Sequence, residues 1–282
     1  MKSKVPPLHE KLMSNQKYRK FFESIEDRVK KIRKKGEKHI LIILENNEKI
    51  WIEITPEDEC GELPLFLNNE IQKIYFSADI LANSEKISYS ILKDQMGVIS
   101  VIPNPIKHIK NLVIRKFQEG ETIIYFPKKE WDEFLSSQDY EDILINALKK
   151  YHNRGLSHND INPSNILISG EDINLIDWET ASSIYGYDLG YRVPSQPKEL
   201  DIARLIISFS FVLRYKKKGW KKFTENVISS FLDNVNSNIL VKAVCGIKDF
   251  YSIVDDLYQK TDPAFLGVCD YIIKYLRENR SK

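Results

Sequence analysis

Two polar motifs in the middle of the chain, each attached to a short apolar run, constrain the fold more than any other feature. In the first motif, 157–165, the carboxylate of Asp160 precedes the carboxamide of Asn165 by five residues, and an apolar run follows at once. A second apolar run, Ile173 to Ile176, ends at Asp177. If the two runs pair as strands, Asp177 faces the first loop from a strand end.

Phosphoryl transfer explains these residue types. A carboxylate must orient an attacking hydroxyl and accept its proton, and Asp160 suits this task. Magnesium prefers oxygen ligands, so Asn165 and Asp177 suit the binding of a metal ion on nucleotide phosphates, with Glu179 close enough to join directly or through water. The alternative is that Asp160 and Asn165 cap turns and Asp177 begins a loop, roles in which these residue types abound.

The apolar pattern before the motifs predicts a small sheet. Two β-rich runs at 40–44 and 50–54 are joined by Asn46-Asn47, which predicts a hairpin. Beyond the hairpin, the pattern predicts a strand at 71–76, a helix at 80–92 and two further strands at 98–102 and 112–117. The order of these elements is β-β-β-α-β-β.

Helical patterns flank this region. Residues 14–36 begin with Ser14 and Asn15 and carry apolar side chains at helical spacing up to Gly36, which predicts an amphipathic helix. The helix could meet a protein partner through a basic face, although a solvated face is the simpler interpretation. The basic residues are Lys30, Lys31, Arg33, Lys34 and Lys35. Later in the chain, a helix is predicted from Tyr140, and 200–213 is apolar on nearly every side, as in a buried helix.

The two motifs resemble the H-x-D-x-x-x-x-N and hydrophobic-Asp-x-Glu motifs of the aminoglycoside phosphotransferase and choline kinase families, within the protein-kinase-like superfamily. Ile176-Asp177-Trp178-Glu179 followed by Ala181 is especially similar to bacterial choline kinases. The similarity covers roughly 140–213 and rests on two motifs in order. It implies an α+β, bilobal protein-kinase-like fold, with a small antiparallel β-sheet lobe and a larger, mostly helical lobe.

The resemblance divides the chain into a basic helical extension at 1–36, a small nucleotide-binding lobe at 37–120 and a large catalytic lobe at 121–282. It also makes His158 a structural residue of the loop, and Asp201 the aspartate that holds the loop backbone. For Asp201, the alternative is an acid favoured by the helix dipole in the first turn of a helix.

In the small lobe, the resemblance implies a lysine on the third strand that contacts the nucleotide phosphates and a glutamate in the next helix that positions it. Lys73 and Glu85 are the candidates. A solvated lysine is the alternative, and Lys49 competes if the strands are misassigned. The backbone of the connection between the lobes would hydrogen-bond adenine at Phe117, Gln118 and Glu119, although this stretch could equally be a strand end followed by a turn.

Three departures from the family pattern are visible. The chain has no G-x-G-x-x-G, so a glycine-rich lid over the phosphates is absent or replaced. Asn159 stands where most protein kinases have arginine, the usual partner of a phosphorylated activation loop. Trp178-Glu179 stands where they have Phe-Gly. The absence of the glycine-rich lid leaves room for a chain that binds nucleotide poorly or not at all.

Three functions therefore follow from the sequence. The first is an ATP- and magnesium-dependent transferase acting on a choline-like, aminoglycoside or sugar hydroxyl. C-terminal side chains, more simply read as a solvated face, could enclose a cationic acceptor: Asp249, Tyr251, Asp255, Asp256 and Tyr258. The second is a protein Ser/Thr/Tyr kinase, because 191–194 loosely resembles the end of an activation segment. The third is a pseudokinase that acts as a nucleotide-binding or scaffold module.

Charge, cysteine content and apolar runs limit the partners and the cellular compartment that we expect. The formal net charge is +2, so no global field favours nucleic acid or an anionic membrane. The three cysteines are widely spaced and lack metal-binding spacing, which predicts reduced structural thiols. Neither a signal peptide nor a run of about 18 apolar residues occurs, so we expect a cytoplasmic protein with no membrane span.

Overall fold

The computed structural model describes residues 16–35, 39–56, 60–68, 70–103, 109–137, 139–170, 172–254 and 262–279. By its internal contacts the chain divides into two compact units. Unit 1 comprises residues 1–60 and 77–118, and unit 2 comprises residues 61–76 and 119–282. No helix within the described ranges is long and apolar enough to cross a membrane.

The elements of the first part of the chain are mostly strands. They are α1 (Gln16–Ile25), β1 (Val29–Lys35), β2 (His39–Leu44), β3 (Lys49–Pro56), β4 (Cys60–Leu67), β5 (Glu70–Ser77), α2 (Ala78–Met96), β6 (Val98–Pro103), β7 (Ile109–Lys116) and β8 (Glu121–Thr122).

The elements that follow are mostly helices. They are α3 (Lys128–Ser136), α4 (Tyr140–His152), β9 (Leu156–Ser157), β10 (Ile166–Ser169), β11 (Asp172–Leu175), β12 (Ser182–Ser183), α5 (Lys198–Tyr215), α6 (Trp220–Leu232), α7 (Ser237–Val254) and α8 (Pro263–Glu278).

Unit 1 is organised around one antiparallel sheet, in which the described strands follow the order β1-β2-β3-β7-β6. Side chains alternate between the two faces of a strand, so one face collects isoleucines of β2, β3 and β7. Phe22 and Ile25 of α1 pack on this face, in a buried cluster with Ile42, Ile52 and Ile114. Full burial of each such side chain stabilises the fold by about 1.5–3 kcal/mol. Helix α2 packs against β3, β6 and β7.

The helix predicted at 14–36 is wrong beyond Ile25. A short 3-10 turn at 26–28 is followed by β1, which pairs antiparallel with β2, for example Ile32 with Ile42. The helical spacing of the apolar residues was real, but pairing with a neighbouring strand satisfies the backbone groups of 29–35 and buries part of Val29 and Ile32. Five basic residues therefore lie on a strand, and a protein partner for them stays a prediction. Ser14 and Asn15 lie outside the described residues.

Most other predicted elements are confirmed to within a few residues: β2, β3, α2, β6, β7, α4 and the buried α5. The strand predicted at 71–76 exists as β5, but its partner is β4 in a separate two-stranded hairpin. This β4–β5 hairpin belongs to unit 2, whereas the sheet belongs to unit 1. Its sequence pattern is that of a strand, and no local signal told which strand it pairs with.

Unit 2 is built around α5, which is buried over most of its length. Helices α4, α6, α7 and α8 pack on it. Two small ladders lie in the same unit: β9 pairs with β12, and β10 pairs with both β11 and β8. The two units have the contents expected of the fold, a small antiparallel sheet with few helices and a larger, mostly helical part.

Candidate active site

The two motifs meet because β10 and β11 form an antiparallel hairpin. Ile166 pairs with Leu175, and the Ile176 N–H donates to the Asn165 carbonyl at 3.0 Å. Asn165 and Asp177 therefore flank one end of the same hairpin. Asp177 has a φ of +69°, a left-handed conformation that costs a non-glycine residue free energy and is concentrated at functional sites. Its side chain is exposed.

Asp201, at the start of α5, holds the backbone of the catalytic loop. Its carboxylate accepts hydrogen bonds from the backbone N–H groups of His158 (2.9 Å) and Asn159 (3.0 Å), and from Ser157 Oγ at 3.1 Å. His152 Nε2 lies 3.1 Å away. Burial acts to raise the pKa of Asp201, but the hydrogen bond and charge of His152, with the His158 contacts, outweigh it and lower the pKa. The carboxylate is therefore ionised and fastens two elements together.

His158 is a neutral structural residue. Burial lowers the pKa of His158, despite the charges of Asp201 and Asp160, which act to raise it. Nδ1 accepts from the Asp160 N–H at 3.3 Å, so Nε2 carries the proton and donates to the Ile176 carbonyl at 2.9 Å. The ring also packs on Trp178, with 4.5 Å between ring centroids. His158 thus ties the loop to the strand end that carries Asp177.

Asn159 and Trp178, two of the departures from the family pattern, have packing roles. Asn159 is buried with a φ of +65°, and its Nδ2 donates to the Thr180 carbonyl (3.0 Å) and Ser182 Oγ (2.9 Å). Trp178 is fully buried against Tyr151, and its Nε1 donates to the Leu175 carbonyl at 3.0 Å. Both side chains fix the backbone on which Asp160 and Asp177 stand.

The carboxylate of Asp160 is fixed on one side and open on the other. Its Oδ2 accepts from Asn162 Nδ2 and Asn165 Nδ2, both at 3.1 Å. Its Oδ1 faces Arg204 Nη1 at 3.8 Å, and the side chain is 24% exposed. One carboxylate oxygen is thereby oriented by amides, while the other stays within reach of a small polar group.

The donor set at the hairpin end fits a magnesium ion. Asn165 directs its Nδ2 to Asp160, so Oδ1 points elsewhere, and the nearest described donor to Oδ1 is Ser164 Oγ at 3.5 Å. Asp177 would contribute a carboxylate oxygen from an exposed side chain. The described residues contain no cluster of three or more His, Cys, Asp or Glu that could hold a metal. A site with one carboxylate and one amide suits magnesium, which keeps several waters and phosphate oxygens.

Arg204 is a site residue that the sequence analysis missed. It lies on α5, is almost fully buried, and approaches Asp160 as described above. Burial raises the pKa of Tyr251 on α7, although the Arg204 side chain acts to lower it. Arg204 lies three residues after Asp201, within the mostly buried α5. A charged residue in this apolar run was the available signal. Asp249 lies exposed on α7, whereas Asp255, Asp256 and Tyr258 lie outside the described residues.

The strand assignment for Lys73 is wrong. The third strand of the sheet is β3, which includes Lys49, whereas Lys73 lies on β5 in unit 2. There Lys73 forms an ion pair with Glu62 of the same hairpin, and its Nζ lies 5.9 Å from the centroid of the Phe250 ring. Its contact with nucleotide phosphates stays a prediction. The error follows from the unrecognised β1, which shifted the strand count by one.

The other small-lobe candidates lie where their secondary structure was predicted. Glu85 lies buried on α2, and its Oε2 accepts from Thr55 Oγ1 at 2.7 Å. The Phe117 N–H donates to the Lys49 carbonyl at 2.9 Å, directly after β7 ends. The division between the units falls between Gln118 and Glu119. The nucleotide contacts of the candidates stay predictions; these are Glu85, Phe117, Gln118 and Glu119.

A buried charge cluster in unit 1 was not foreseen. Glu53 of β3 pairs with Arg115 of β7, with 2.5 Å between Oε1 and Nη2, and accepts from the Tyr89 hydroxyl at 2.6 Å. Burial acts to raise the pKa of Glu53, but Arg115 and Tyr89 outweigh it and lower the pKa. The cluster thus links β3 to β7 and to α2, which carries Tyr89. Glu53 and Arg115 each interrupt an apolar strand, which was the visible signal.

Two sequence comparisons found proteins similar to this chain. The family model for the RIO domain (RIO1) matches residues 78–185, a segment that contains Asp160, Asn165 and Asp177. The probable serine/threonine-protein kinase YbdM of Bacillus subtilis (strain 168) is 26% identical over 152 residues. That alignment covers 51% of this chain and 58% of YbdM, so the chain spans less than two thirds of the length of this relative.

Two solved structures align with this chain at low identity. A thermostable mutant of the aminoglycoside phosphotransferase APH(4)-Ia, in a ternary complex with AMP-PNP and hygromycin B, aligns with a TM-score of 0.46 and 12% identity over 91% of this chain and 97% of its own. Spectinomycin phosphotransferase APH(9)-Ia, with ADP and spectinomycin, aligns with a TM-score of 0.40 and 12% identity over 91% and 93%.

Proposed function

We propose that the chain is a protein-kinase-like enzyme, an ATP- and magnesium-dependent phosphotransferase that moves the γ-phosphate to a hydroxyl group. The match of residues 78–185 to the RIO domain and the 26% identity to a probable serine/threonine-protein kinase support this proposal. One observation carries the proposal: the β10–β11 hairpin places Asn165 and Asp177 at one end, beside the partly exposed carboxylate of Asp160. This arrangement supplies a base and two oxygen ligands, which are the groups that phosphoryl transfer requires.

In the proposed reaction, Asp160 binds and orients the acceptor. Asn162 and Asn165 occupy Oδ2, so the acceptor hydroxyl would donate its hydrogen bond to Oδ1, the oxygen that faces Arg204. The acceptor oxygen bonds to the γ-phosphorus, the bond to the bridging oxygen of ADP breaks, and the hydroxyl proton passes to Oδ1. Magnesium, held by Asn165 Oδ1 and an Asp177 oxygen, neutralises charge on the phosphates when bound.

The nucleotide contacts of unit 1 are also proposals. Glu85 would support the phosphate-binding cation, and the backbone at 117–119 would hydrogen-bond adenine. Two lysines stay candidates for the phosphates, Lys73 and Lys49. Nucleotide titrations of Lys73→Ala and Lys49→Ala would identify the one whose loss weakens binding.

For the acceptor we propose a small hydroxyl compound, such as a choline-like, aminoglycoside or sugar molecule. The exposed fraction of Asp160 suits a small group. A protein hydroxyl is the second candidate, because the relative YbdM is named a probable serine/threonine-protein kinase. A pseudokinase is the third, because the chain has no G-x-G-x-x-G lid over the phosphates.

The magnesium site has a direct test. Asp177→Asn should weaken ATP binding in the presence of magnesium about 10- to 100-fold, since a charged interaction at a site is worth about 1.5–3 kcal/mol. Isothermal titration measures this affinity. In EDTA, the variant and the parent protein should bind ATP equally, because the side chain acts through the metal.

Asp172→Asn is the matched control, because Asp172 is an exposed aspartate at the other end of the same hairpin. It should bind magnesium–ATP like the parent. Equal weakening by both substitutions would remove Asp177 from the metal site. If the parent gains no thermal stability from magnesium and ATP and hydrolyses none, the pseudokinase candidate replaces the proposed function.

A further inference from the structure

The β4–β5 hairpin is held against the segment that leads into α5. Gln196, fully buried just before α5, accepts from the Phe66 N–H at 2.6 Å and donates from Nε2 to the Phe66 carbonyl at 3.4 Å. The Tyr185 hydroxyl donates to the same carbonyl at 3.2 Å. Both backbone groups of Phe66 are therefore bonded to side chains of 185–196, much as a neighbouring strand would bond them.

Apolar packing holds the hairpin as well. Leu63, Leu65 and Phe66 are buried, and burial of apolar side chains stabilises the contact. Gly246 lies in the middle of α7, where glycine is less favourable for a helix than alanine. A Cβ at Gly246 would overlap the side chain of Ile71. The glycine thus allows β5 to lie directly on α7.

Arg204 connects this hairpin to the reacting carboxylate. Its Nη2 donates to the Pro64 carbonyl at 3.1 Å, while Nη1 lies 3.8 Å from Asp160 Oδ1. Strand β4 is therefore one side chain away from the proposed base. The segment 185–196 lies close to the catalytic loop too, because β12 pairs with β9 at the start of that loop.

We propose that the β4–β5 hairpin selects the acceptor by occupying the place that an extended polypeptide would need beside Asp160. A polypeptide bound in extended form relies on backbone hydrogen bonds along a neighbouring segment. Here Gln196 and Tyr185 already bond Phe66. A small hydroxyl compound needs no such row and can reach the exposed side of Asp160. This inference rests on the proposed function and assigns its acceptor class to one structural element.

Gly246→Ala displaces the hairpin by steric overlap, and Gln196→Ala removes its hydrogen bonds. Gly219→Ala is the matched control, because nothing lies within 4 Å of a Cβ at Gly219. Hydrogen exchange of the 63–67 amides measures docking. Transfer from labelled ATP is measured to casein, and to a pool of amino alcohols, aminoglycosides and sugars. ATP hydrolysis is measured in parallel, with Asp160→Asn as its blank.

We expect slow exchange at 63–67 in the parent and in Gly219→Ala, with label only in the small-molecule pool. Both displaced variants should exchange faster and label casein at least tenfold more than the parent does. Casein labelling by the parent while 63–67 stays protected would overturn the inference. So would ATP hydrolysis without transfer to either class by any variant. No ATP hydrolysis in the parent would overturn the proposed function itself and this inference with it.

Discussion

Asp160→Asn is expected to lower the rate of phosphoryl transfer about 10²- to 10⁴-fold, the usual contribution of a general base. The amide cannot take the proton of the acceptor hydroxyl. It retains an oxygen that can accept from Asn162 or Asn165, so the loop should keep its conformation. Single-turnover transfer from labelled ATP measures the rate, and calorimetric titration with magnesium and ATP should give an affinity within about threefold of the parent.

Asp172→Asn again serves as the control, since the same change at an exposed position should leave the rate unaltered. Loss of rate and of nucleotide affinity together would assign Asp160 to nucleotide binding. An unaltered rate in Asp160→Asn would remove it from the mechanism. Loss of a general base should slow transfer and leave nucleotide affinity unchanged. The two measurements together therefore test whether Asp160 is that base.

The catalytic loop could be predicted from sequence because its chemistry is local. Asp160 and Asn165 lie five residues apart, and Asp177 follows a strand that can pair only with a near neighbour. Asp201 was predicted by resemblance, with a helix-dipole role as the alternative. Its bonds to the backbone of His158 and Asn159 show a far more specific role than the dipole provides.

Two features could not be predicted because strand pairing, and not the local spacing of apolar residues, determines them. Residues 29–35 have a helical spacing of apolar residues, yet pairing with the neighbouring β2 determines their structure. Residues 71–76 have the pattern of a strand, yet pairing with β4 and packing on α7 determine their unit. The unrecognised β1 moved the lysine assignment to Lys73. Local pattern predicts that a strand exists and does not identify its partner.

Arg204 is instructive for the same reason. Arg204 belongs to no sequence motif, and its importance comes from groups far away in sequence, Pro64 and Asp160. A buried cation needs partners, because an unpaired charge in the interior costs several kcal/mol. A charged residue on the apolar face of a predicted helix therefore predicts that polar partners exist, without identifying them.

Asp201→Ala should lower the free energy of unfolding by about 3–5 kcal/mol, the cost of removing one partner from a buried charged network. The substitution leaves the backbone N–H groups of His158 and Asn159 buried without their acceptor. Urea denaturation measures the loss, and transfer activity should fall with it because Asp160 directly follows these residues. Asp142→Ala is the control: Asp142 is an exposed acid in the first turn of α4, where the dipole effect is about 0.3–1 kcal/mol.

The pH dependence of that loss in unfolding free energy distinguishes hydrogen bonding by the ionised Asp201 carboxylate from simple packing. The native pKa of Asp201 is lowered, so its stabilising contribution is fully present above the unfolded value of about 3.9 and is lost as pH falls through the native value. The difference in unfolding free energy between parent and Asp201→Ala should therefore be largest at neutral pH and shrink below about pH 4. A difference that stays constant into acid would mean that the ionised carboxylate contributes nothing beyond its volume, and the loop would then be held by packing of His158 and Trp178.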